Sequence, residues 1–438
     1  MINIINNKDC CGCSACVSIC PKHCIMMTED EEGFLYPKVN GEICIDCGLC
    51  ERVCNELNPY NKREPIQVLA AINKDEEIRE KSSSGGVFYI IAEKIISKGG
   101  VVFGARFDKN WQVVIDFAED MKGVESFMGS KYVQARMDTA YIDVKRFLDQ
   151  GRMVLFSGTP CQVAGLHKYL RKSYENLITV DFICHGVPSP KVWRIYLDGI
   201  MKEYKKLCSI EFRNKKNGWK NFNFKLGYNK DDDTISLLSP FSRNHYMKAF
   251  LYDIILRPSC YDCKVKGCSS MSDITIADFW GVNSIFPKMD DDKGTSLVFI
   301  NTDKGKDALD FSCLNVALTD FKRVIPLNSA CCYSPKSHPK RNEFFSRLGN
   351  ENLIELINDY TKPTLKQRIR NVKADIKLMI NRMLIICNGG GEIAQSIKKT
   401  ERILRIYQDQ HVVSICFRSK SNGWKKYNME IKIKSVTS

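Results

Sequence analysis

CCGCSACVSICP, residues 10–21, and CIDCGLCERVC, residues 44–54, share one cysteine spacing, C-x2-C-x2-C-x3-C. The close triplet lets a loop wrap three thiolates around one face of an iron–sulfur cube, and the fourth cysteine points at the other cube. The pattern therefore predicts two 4Fe–4S clusters. Their predicted ligands are Cys10, Cys13, Cys16 and Cys54 for the first cluster, and Cys44, Cys47, Cys50 and Cys20 for the second.

The main alternative for these cysteines is a pair of zinc sites, since C-x2-C pairs also bind zinc. Zinc sites rarely use this triplet followed by a fourth cysteine, and here it occurs twice. Cys11 and Cys24 are surplus to both ligand sets and are expected to be packing or exposed thiols. Asn55 stands where the first motif has Pro21, a departure that removes no ligand. Residues 1–60 thus resemble a bacterial-type two-cluster ferredoxin domain.

Composition indicates a globular protein of two or three domains, with 438 residues, 44% hydrophobic and 26% charged. The N-terminus lacks the apolar core of a signal peptide, and no window holds 18 uncharged apolar residues. We therefore expect a cytoplasmic protein without a transmembrane segment. Reducing cytosol disfavours disulfides, so the 21 cysteines favour metal binding or redox work.

The net charge of +14 is concentrated near the C-terminus, where residues 362–405 hold eleven Lys and Arg against three Asp and Glu. An apolar heptad stripe from Leu365 to Ile386 predicts a helix there. Residues 311–438 are therefore predicted to be a basic, mainly helical extension. Its helix could pack on its own domain, on a partner helix or on an acidic membrane surface, which leaves peripheral membrane contact open. We expect no nucleic acid partner.

Between the cysteine motifs and this extension the pattern is α/β. After a polar linker at residues 55–65, apolar runs at 68–73, 153–158 and 177–184 predict strands, and a helix is predicted between the last two. Residues 101–107 and 111–118 resemble a hairpin pair. We divide the larger α/β domain into two segments, which span residues 66–150 and 151–310.

An internal repeat links this domain to the extension. SIEFRNKKNGWKNFNFKL (209–226) and SICFRSKSNGWKKYNMEI (414–431) match at ten of eighteen positions. Asn-Gly between apolar runs predicts a hairpin. Each copy is therefore predicted to be a two-stranded ribbon with a Trp at its turn, and the second copy is either an appendage left by a partial duplication or a second active element.

Further cysteines follow predicted strands or lie in a Pro-bounded loop. Cys161 precedes a helix, Cys184 ends the next strand, and residues 257–268 add three more. Strand carboxyl ends in an α/β sheet converge on a crevice. A third cluster is therefore predicted. Its ligands would be Cys161, Cys184, Cys260 and Cys263. Alternatives are a set in which Cys268 replaces one member, a partial zinc site of Cys260, Cys263 and Cys268, or buried structural thiols.

Five ordered motifs carry a family resemblance: SSSGGVF (82–88), GSKYVQ (129–134), SGTPCQVAGL (157–166), CHGVPSP (184–190) and RPSCYDC (257–263) with SDITIADFWG (272–281). From about residue 66 to 300 the chain resembles the family of beta subunits of coenzyme F420-reducing hydrogenases and dehydrogenases, in its longer, cluster-fused form. The resemblance implies a flavin-binding domain with FAD and its own 4Fe–4S cluster. It implies an FAD site at Ser84, Gly85, Gly86, Ser130, Lys131 and Tyr132. From the residues alone, an ordinary helix-capping turn is favoured for SSSGG over a phosphate site.

The implied function is an oxidoreductase. Electrons would pass between a hydride-carrying small molecule, coenzyme F420 by family precedent, and the ferredoxin-type clusters through FAD, and then to a redox partner protein. The alternative is a non-catalytic 4Fe–4S electron-transfer subunit of a larger redox complex, and bound flavin distinguishes the two. No catalytic residue is assigned. His185 is either a proton relay or a structural histidine, and Asp278, Phe279 and Trp280 are candidates to border the flavin ring.

Overall fold

The computed structural model describes residues 1–204, 206–230, 233–362, 414–418 and 428–432. The chain divides into two compact units, Met1–Thr361 and Lys362–Ser438. The predicted segments that end at residue 310 all fall in the first unit, whereas the predicted extension is shared between the two. The predicted heptad helix lies outside the described residues. The coarse prediction of a small ferredoxin-like domain followed by a larger α/β domain is confirmed.

The N-terminal region is built around its cysteine motifs. Helix α1 (Ala15–Ile19) and helix α2 (Leu49–Arg52) each begin directly after a residue in the left-handed conformation, Ser14 at φ 64° and Gly48 at φ 69°. Such a residue turns the loop sharply, so the cysteine that follows it lies in the first turn of the helix. Between the helices, β1 (Ile25–Glu29) and β2 (Leu35–Val39) form an antiparallel pair.

The larger region alternates strands and helices. Its strands are β3 Gln67–Asn73, β4 Val101–Phe107, β5 Val113–Ala118, β6 Val154–Ser157, β7 Leu177–Phe182, β8 Leu207–Asn214, β9 Asn223–Lys230, β10 Asp233–Pro240, β11 Ile274–Asp278, β12 Ser296–Ile300 and β13 Leu314–Thr319. Its helices are α3 Glu76–Lys81, α4 Val87–Ile96, α5 Met121–Glu125, α6 Ala140–Asp149, α7 Pro160–Leu170, α8 Pro190–Glu203, α9 His245–Leu251, α10 Val282–Ile285, α11 Asp303–Ala308, α12 Phe321–Val324, α13 Arg341–Arg347 and α14 Leu353–Tyr360.

One eight-stranded sheet organises this region, with strand order β13-β3-β12-β11-β7-β6-β4-β5. Its centre, β11-β7-β6-β4, is parallel, and antiparallel strands flank it on both sides. The first residues of each central strand are buried, as the continuous apolar runs predict. Because β6, β7 and β11 run in the same direction, the loops that follow them meet at one edge of the sheet. The segments directly after these strands carry Cys161, Cys184 and Trp280, respectively.

The repeated sequence forms similar ribbons in the two units. In the first unit, β8 and β9 are antiparallel with Ser209 opposite Gly227, and β10 extends the sheet. In the second unit, β14 (Ser414–Arg418) and β15 (Asn428–Lys432) are antiparallel with Ser414 opposite Lys432. These pairs occupy equivalent positions in the repeat, so the duplicated segment keeps its register. The predicted ribbons are confirmed for the described strands.

A buried arginine connects the ferredoxin-like region to the α/β region. Arg257 is 0% exposed and donates to the carbonyl oxygens of Cys10 (2.7 Å) and Leu35 (2.9 Å) and to Gln134 Oε1 (3.0 Å). Its guanidinium carbon lies 4.3 Å from the ring centre of Tyr36. One side chain therefore fixes the first cysteine loop and strand β2 against the larger domain.

We expect Arg257→Met to lower the free energy of unfolding by about 3 kcal/mol, because it leaves buried acceptors on both regions unpaired. The matched control is Arg194→Met, which removes a half-exposed ion pair with Glu29 across the same junction and should cost less than about 1 kcal/mol. Thermal unfolding and proteolysis within residues 55–65 would measure both. Equal losses in the two variants would contradict the assigned role of Arg257.

Candidate functional site

The second cysteine motif surrounds a small cavity in the N-terminal region. Cys20, Cys44, Cys47 and Cys50 all line it, as the predicted ligand set requires. A fifth thiol, Cys24, lines the same cavity, is 4% exposed, and lies with its sulfur 3.3 Å from that of Cys20. Cys24 is therefore a buried neighbour of this site and not an exposed thiol.

The first predicted ligand set lies next to the second. Burial raises the pKa of the Cys16 thiol to about 12, with further contributions from Cys10, Cys54 and Cys50. Cys50 belongs to the second set, so the two groups of sulfurs are within electrostatic reach of each other. The four thiols of one ligand set become thiolates together only beside a strong positive charge, which bound iron supplies.

Asn55 has a role that the sequence did not indicate. Its side-chain amide donates to the carbonyl oxygen of Cys161 at 3.1 Å and lies 3.9 Å from the Cys13 sulfur. The asparagine that replaces the motif proline thus links the first cysteine group to the helix of the α/β region that begins at Pro160. Among the described residues, no group of three or more His, Cys, Asp or Glu side chains is arranged to hold a single metal ion.

A third group of cysteines lies at the carboxyl edge of the sheet. Cys161, Cys184, Cys260 and Cys263 line one cavity of about 50 Å³, so the structure brings the predicted third set together. Burial raises the pKa of Cys260 to about 12 and that of Cys263 to about 11. The same cavity is also lined by Cys11, Cys268 and Cys331.

Cys11 connects the third group with the first. Its thiol interacts with the sulfurs of both Cys13 and Cys161, and the pKa of Cys11 is raised well above its usual value, chiefly by the contact with Cys13. The residue expected to be a packing or exposed thiol thus stands between two predicted cluster sites.

A much larger cavity, about 720 Å³, adjoins the third cysteine group. It is lined by residues of β4 and by residues after β6, β7 and β11, in the crevice where ligands bind in open α/β sheets. Of the predicted FAD residues it is lined by Ser84, Gly86, Ser130, Lys131 and Tyr132. Gly85 is not among the lining residues. It packs against the sheet, where a Cβ atom would lie 2.3 Å from the Ala71 carbonyl oxygen.

One end of this cavity suits an anion. Helix α4 begins after Gly86, at φ 84°, without a side-chain cap, so the N-terminal amides of the helix are available to a ligand. Ser83 and Ser130 lie beside it with their hydroxyl oxygens 2.8 Å apart. Burial lowers the pKa of Lys131 to about 7, while its ammonium donates to the Ser126 and Met128 carbonyls and keeps one N–H.

Arg213 is a site residue that sequence reasoning missed. It is buried, pairs with Asp278 at 2.6 Å, and lines the cavity with its Nε and Nη2 atoms unpartnered. Trp219 of the same repeat donates to Asp278 at 2.9 Å and stacks on Trp280, with ring centres 5.0 Å apart. The repeat itself was the available signal, since Arg and Trp are among its ten matches. Asp278 and Trp280 border the cavity.

The neighbouring Phe279 does not border this cavity. Its side chain is fully buried in an apolar cluster with Val282 and Leu297. Of the three residues considered as borders of a flavin ring, the structure therefore places only two on the cavity wall.

The large cavity and the third cysteine group share one wall. Residues 182–187, which are the last residue of β7 and the loop after it, line both, and Cys184 and His185 are among them. His185 Nε2 is paired with Asp253 Oδ1 at 2.5 Å, and the ring packs edge-on against Phe250. The thickness of one loop therefore separates a cavity of cofactor size from four clustered thiols.

In comparisons with known proteins, two family models match separate parts of the chain. Residues 9–56 match the model of a 4Fe–4S dicluster domain, and residues 151–317 match that of the C terminus of the coenzyme F420 hydrogenase/dehydrogenase beta subunit. The chain thus joins a 4Fe–4S dicluster domain to a domain that matches the C-terminal model of this beta-subunit family. The resemblance stated from the five motifs is thereby confirmed, as are iron–sulfur clusters as cofactors.

Individual relatives match parts of the chain. The F subunit of the F(420)H(2) dehydrogenase from Methanosarcina mazei is 23% identical over 186 residues, 40% of this chain, and the chain spans 53% of that relative. The VorC subunit of ketoisovalerate oxidoreductase from Methanothermobacter marburgensis is 35% identical over 57 residues, 13% of this chain and 72% of that relative.

Among solved structures, a chain of the F420-reducing NiFe hydrogenase complex from Methanosarcina barkeri is similar over 70% of this chain and 92% of its own length, with 16% identity and a TM-score of 0.40. A TM-score this low supports no argument about function. In the part of the chain that the structure describes, no helix is long and apolar enough to cross a membrane.

Gly85→Ala should lower the free energy of unfolding by about 1–3 kcal/mol, because its Cβ would overlap the backbone of β3. The control is Gly199→Ala on helix α8, where no atom lies within 4 Å of the added Cβ. It should stabilise by about 0.5–1 kcal/mol through helix propensity. Chemical denaturation measures both. If the Gly85→Ala protein were as stable as the parent, position 85 would have room for a Cβ atom, as is expected of a residue that lines the cavity.

Proposed function

We propose that this chain is an iron–sulfur flavoprotein oxidoreductase. It passes electrons between a hydride-carrying small molecule and ferredoxin-type clusters. Coenzyme F420 is the first candidate carrier, because the matching family is named after it. The observation that carries the proposal is the shared wall at residues 182–187, between a cavity of cofactor size and four clustered thiols. Electron exchange between two centres needs this kind of close approach.

The large cavity fits FAD in size and in chemistry. Its volume of about 720 Å³ is within the range of cofactor sites. The uncapped start of α4, Ser130 and Lys131 would hold the pyrophosphate, and the unpartnered Arg213 nitrogens would meet further ligand acceptors. Bound FAD would supply exchange between two-electron hydride transfer and one-electron transfer, chemistry that the side chains lack. The chain's share is to bind, to orient and to exclude water.

The cysteine groups would hold three 4Fe–4S clusters in sequence. Cys161, Cys184, Cys260 and Cys263 would ligate the cluster nearest the large cavity. The first ferredoxin-type set follows, reached through Cys11, and the second follows that, reached where Cys16 approaches Cys50. Cys47 of the last group is exposed, which would leave the end of the series open to a redox partner protein.

The cluster and flavin content tests this proposal. We expect about twelve irons, twelve sulfides and one FAD per chain from three four-iron clusters. Cys184→Ser should lose about four irons and keep the other eight, because the ferredoxin-type ligands are untouched. The exposed Cys208 provides the control, and Cys208→Ser should keep all twelve.

The same assay separates the alternatives. Eight irons without flavin in the parent protein would favour a non-catalytic electron-transfer subunit. Zinc without sulfide would contradict iron–sulfur chemistry altogether. Reduction of the bound flavin by reduced coenzyme F420, compared with NADH, would then identify the carrier.

The charge on Lys131 predicts a pH dependence of FAD binding. Its pKa of about 7 means that the ammonium is charged below pH 7 and becomes neutral above it. The dissociation constant for FAD on flavin-depleted protein should therefore rise up to about tenfold between pH 6 and pH 9. Lys131→Arg should bind without this dependence, and Lys131→Met should bind weakly at every pH. Flavin fluorescence titration measures the constants, and tight binding by Lys131→Met at pH 6 would remove Lys131 from the phosphate site.

A further inference from the structure

Three cysteines that belong to none of the proposed ligand sets form a separate cluster of thiols. Cys268 and Cys331 are 7% and 6% exposed, and their sulfur atoms lie 4.0 Å apart. Cys332 follows directly, is half-buried, and its thiol is also in contact with that of Cys331. The three thiols therefore run from a partly accessible position to the wall of the cavity that the third cysteine group lines.

The backbone around this cluster is held in place. Gly267 N donates to the Cys331 carbonyl at 2.8 Å, and Lys266 Nζ bridges the carbonyls of Cys184 and Ala330 at 2.5 and 2.7 Å. The segments that carry Cys268 and Cys331 are thus already tied together on either side of the two sulfurs. A disulfide between them requires the two sulfurs to close from 4.0 Å to about 2.05 Å, while these contacts hold the two segments together.

We propose that Cys268 and Cys331 form a reversible disulfide by exchange with a low-molecular-weight disulfide of the glutathione class. Cys332 is the first thiol to react with that small disulfide. The Cys332 thiolate attacks the small disulfide, and the resulting mixed disulfide releases one small thiolate. Cys331 then attacks the Cys332 sulfur and releases the second small thiolate, leaving a bond between adjacent cysteines. Such a bond is strained and easily exchanged. Cys268 attacks the Cys331 sulfur, forms the final bond and frees Cys332.

Atoms and electrons balance in this sequence. The protein loses two protons and two electrons, and the small disulfide gains them to become two thiols. The consequence is mechanical. The new bond locks the loop after the third cysteine group to the turn at residues 328–332, which also contributes to the wall of the large cavity. The statement that these thiols lie beside a third iron–sulfur cluster rests on the proposed function. The contact between the two thiols does not.

The test uses the iron-loaded protein purified without oxygen. It is equilibrated with defined ratios of oxidised to reduced glutathione, quenched in acid, unfolded, alkylated and digested for mass spectrometry. We expect a linked peptide joining Cys268 and Cys331 that is lost on reduction. Cys331→Ser should abolish it, Cys332→Ser should slow its formation at least tenfold, and Cys313→Ser, a half-buried cysteine outside this cluster, should change nothing.

Two results would overturn the inference. One is the absence of the linked peptide at the most oxidising ratio in protein with its iron intact. The other is a loss of about four irons in Cys268→Ser, which would make Cys268 a cluster ligand. Iron and flavin measured in the same samples keep this test separate from that of the proposed function. If the linked peptide is found in protein that holds only eight irons, the proposed disulfide is supported and the proposed third cluster is contradicted.

Discussion

The contacts of the buried Arg257 guanidinium are the constraint on which the rest of the site depends. It ties the first cysteine loop and β2 to Gln134 of the α/β region. A ferredoxin-like region of this size has little core of its own, since its buried cluster consists mainly of the cysteines themselves and a few isoleucines. Docking through a charged group with three acceptors fixes both position and orientation, which a purely apolar contact would not. The separation of the first and third cysteine groups is set by this contact together with Asn55.

The parallel centre of the sheet supplies the second constraint. Because β6, β7 and β11 end at one edge, residues far apart in sequence, such as Cys161, Cys184 and Asp278, meet there. The loop after β7 then contributes Cys184 and its neighbours to the walls of both cavities. The proposed path for electrons is thus a consequence of strand order, with the cavity for the two-electron partner on one side of a loop and the thiols on the other.

Much of this arrangement could be predicted from local patterns. The central strands are continuous apolar runs, and the two ferredoxin-type motifs carry their ligands within a few residues, so spacing alone predicts both. The third cysteine set comes from three separated stretches of the sequence, and only the convergence of strand ends suggests it. Gly85 was grouped with the cavity residues because the SSSGG stretch does not indicate which glycine faces the ligand and which faces the sheet.

Other features depend on tertiary contacts that no spacing rule contains. Arg213 reaches its position through the pairing of β8 with β9 and a contact with Asp278, 65 residues away in sequence. Cys268 and Cys331 are 63 residues apart and lie together only because Lys266 and Gly267 bind the turn at Ala330 and Cys331. Cys11 is surplus to the local motif because its partner, Cys161, belongs to another part of the fold.

The measurement that tests the central claim most directly is the order in which the centres are reduced. Protein loaded with flavin and clusters is mixed rapidly with reduced coenzyme F420, flavin absorbance is followed, and freeze-quenched samples are examined by electron paramagnetic resonance. Flavin bleaching should precede the ferredoxin-type cluster signals in the parent protein. In Cys184→Ser the flavin should still bleach while those signals appear at least about tenfold more slowly. Signals that appear equally fast without the third cluster would contradict the proposed path.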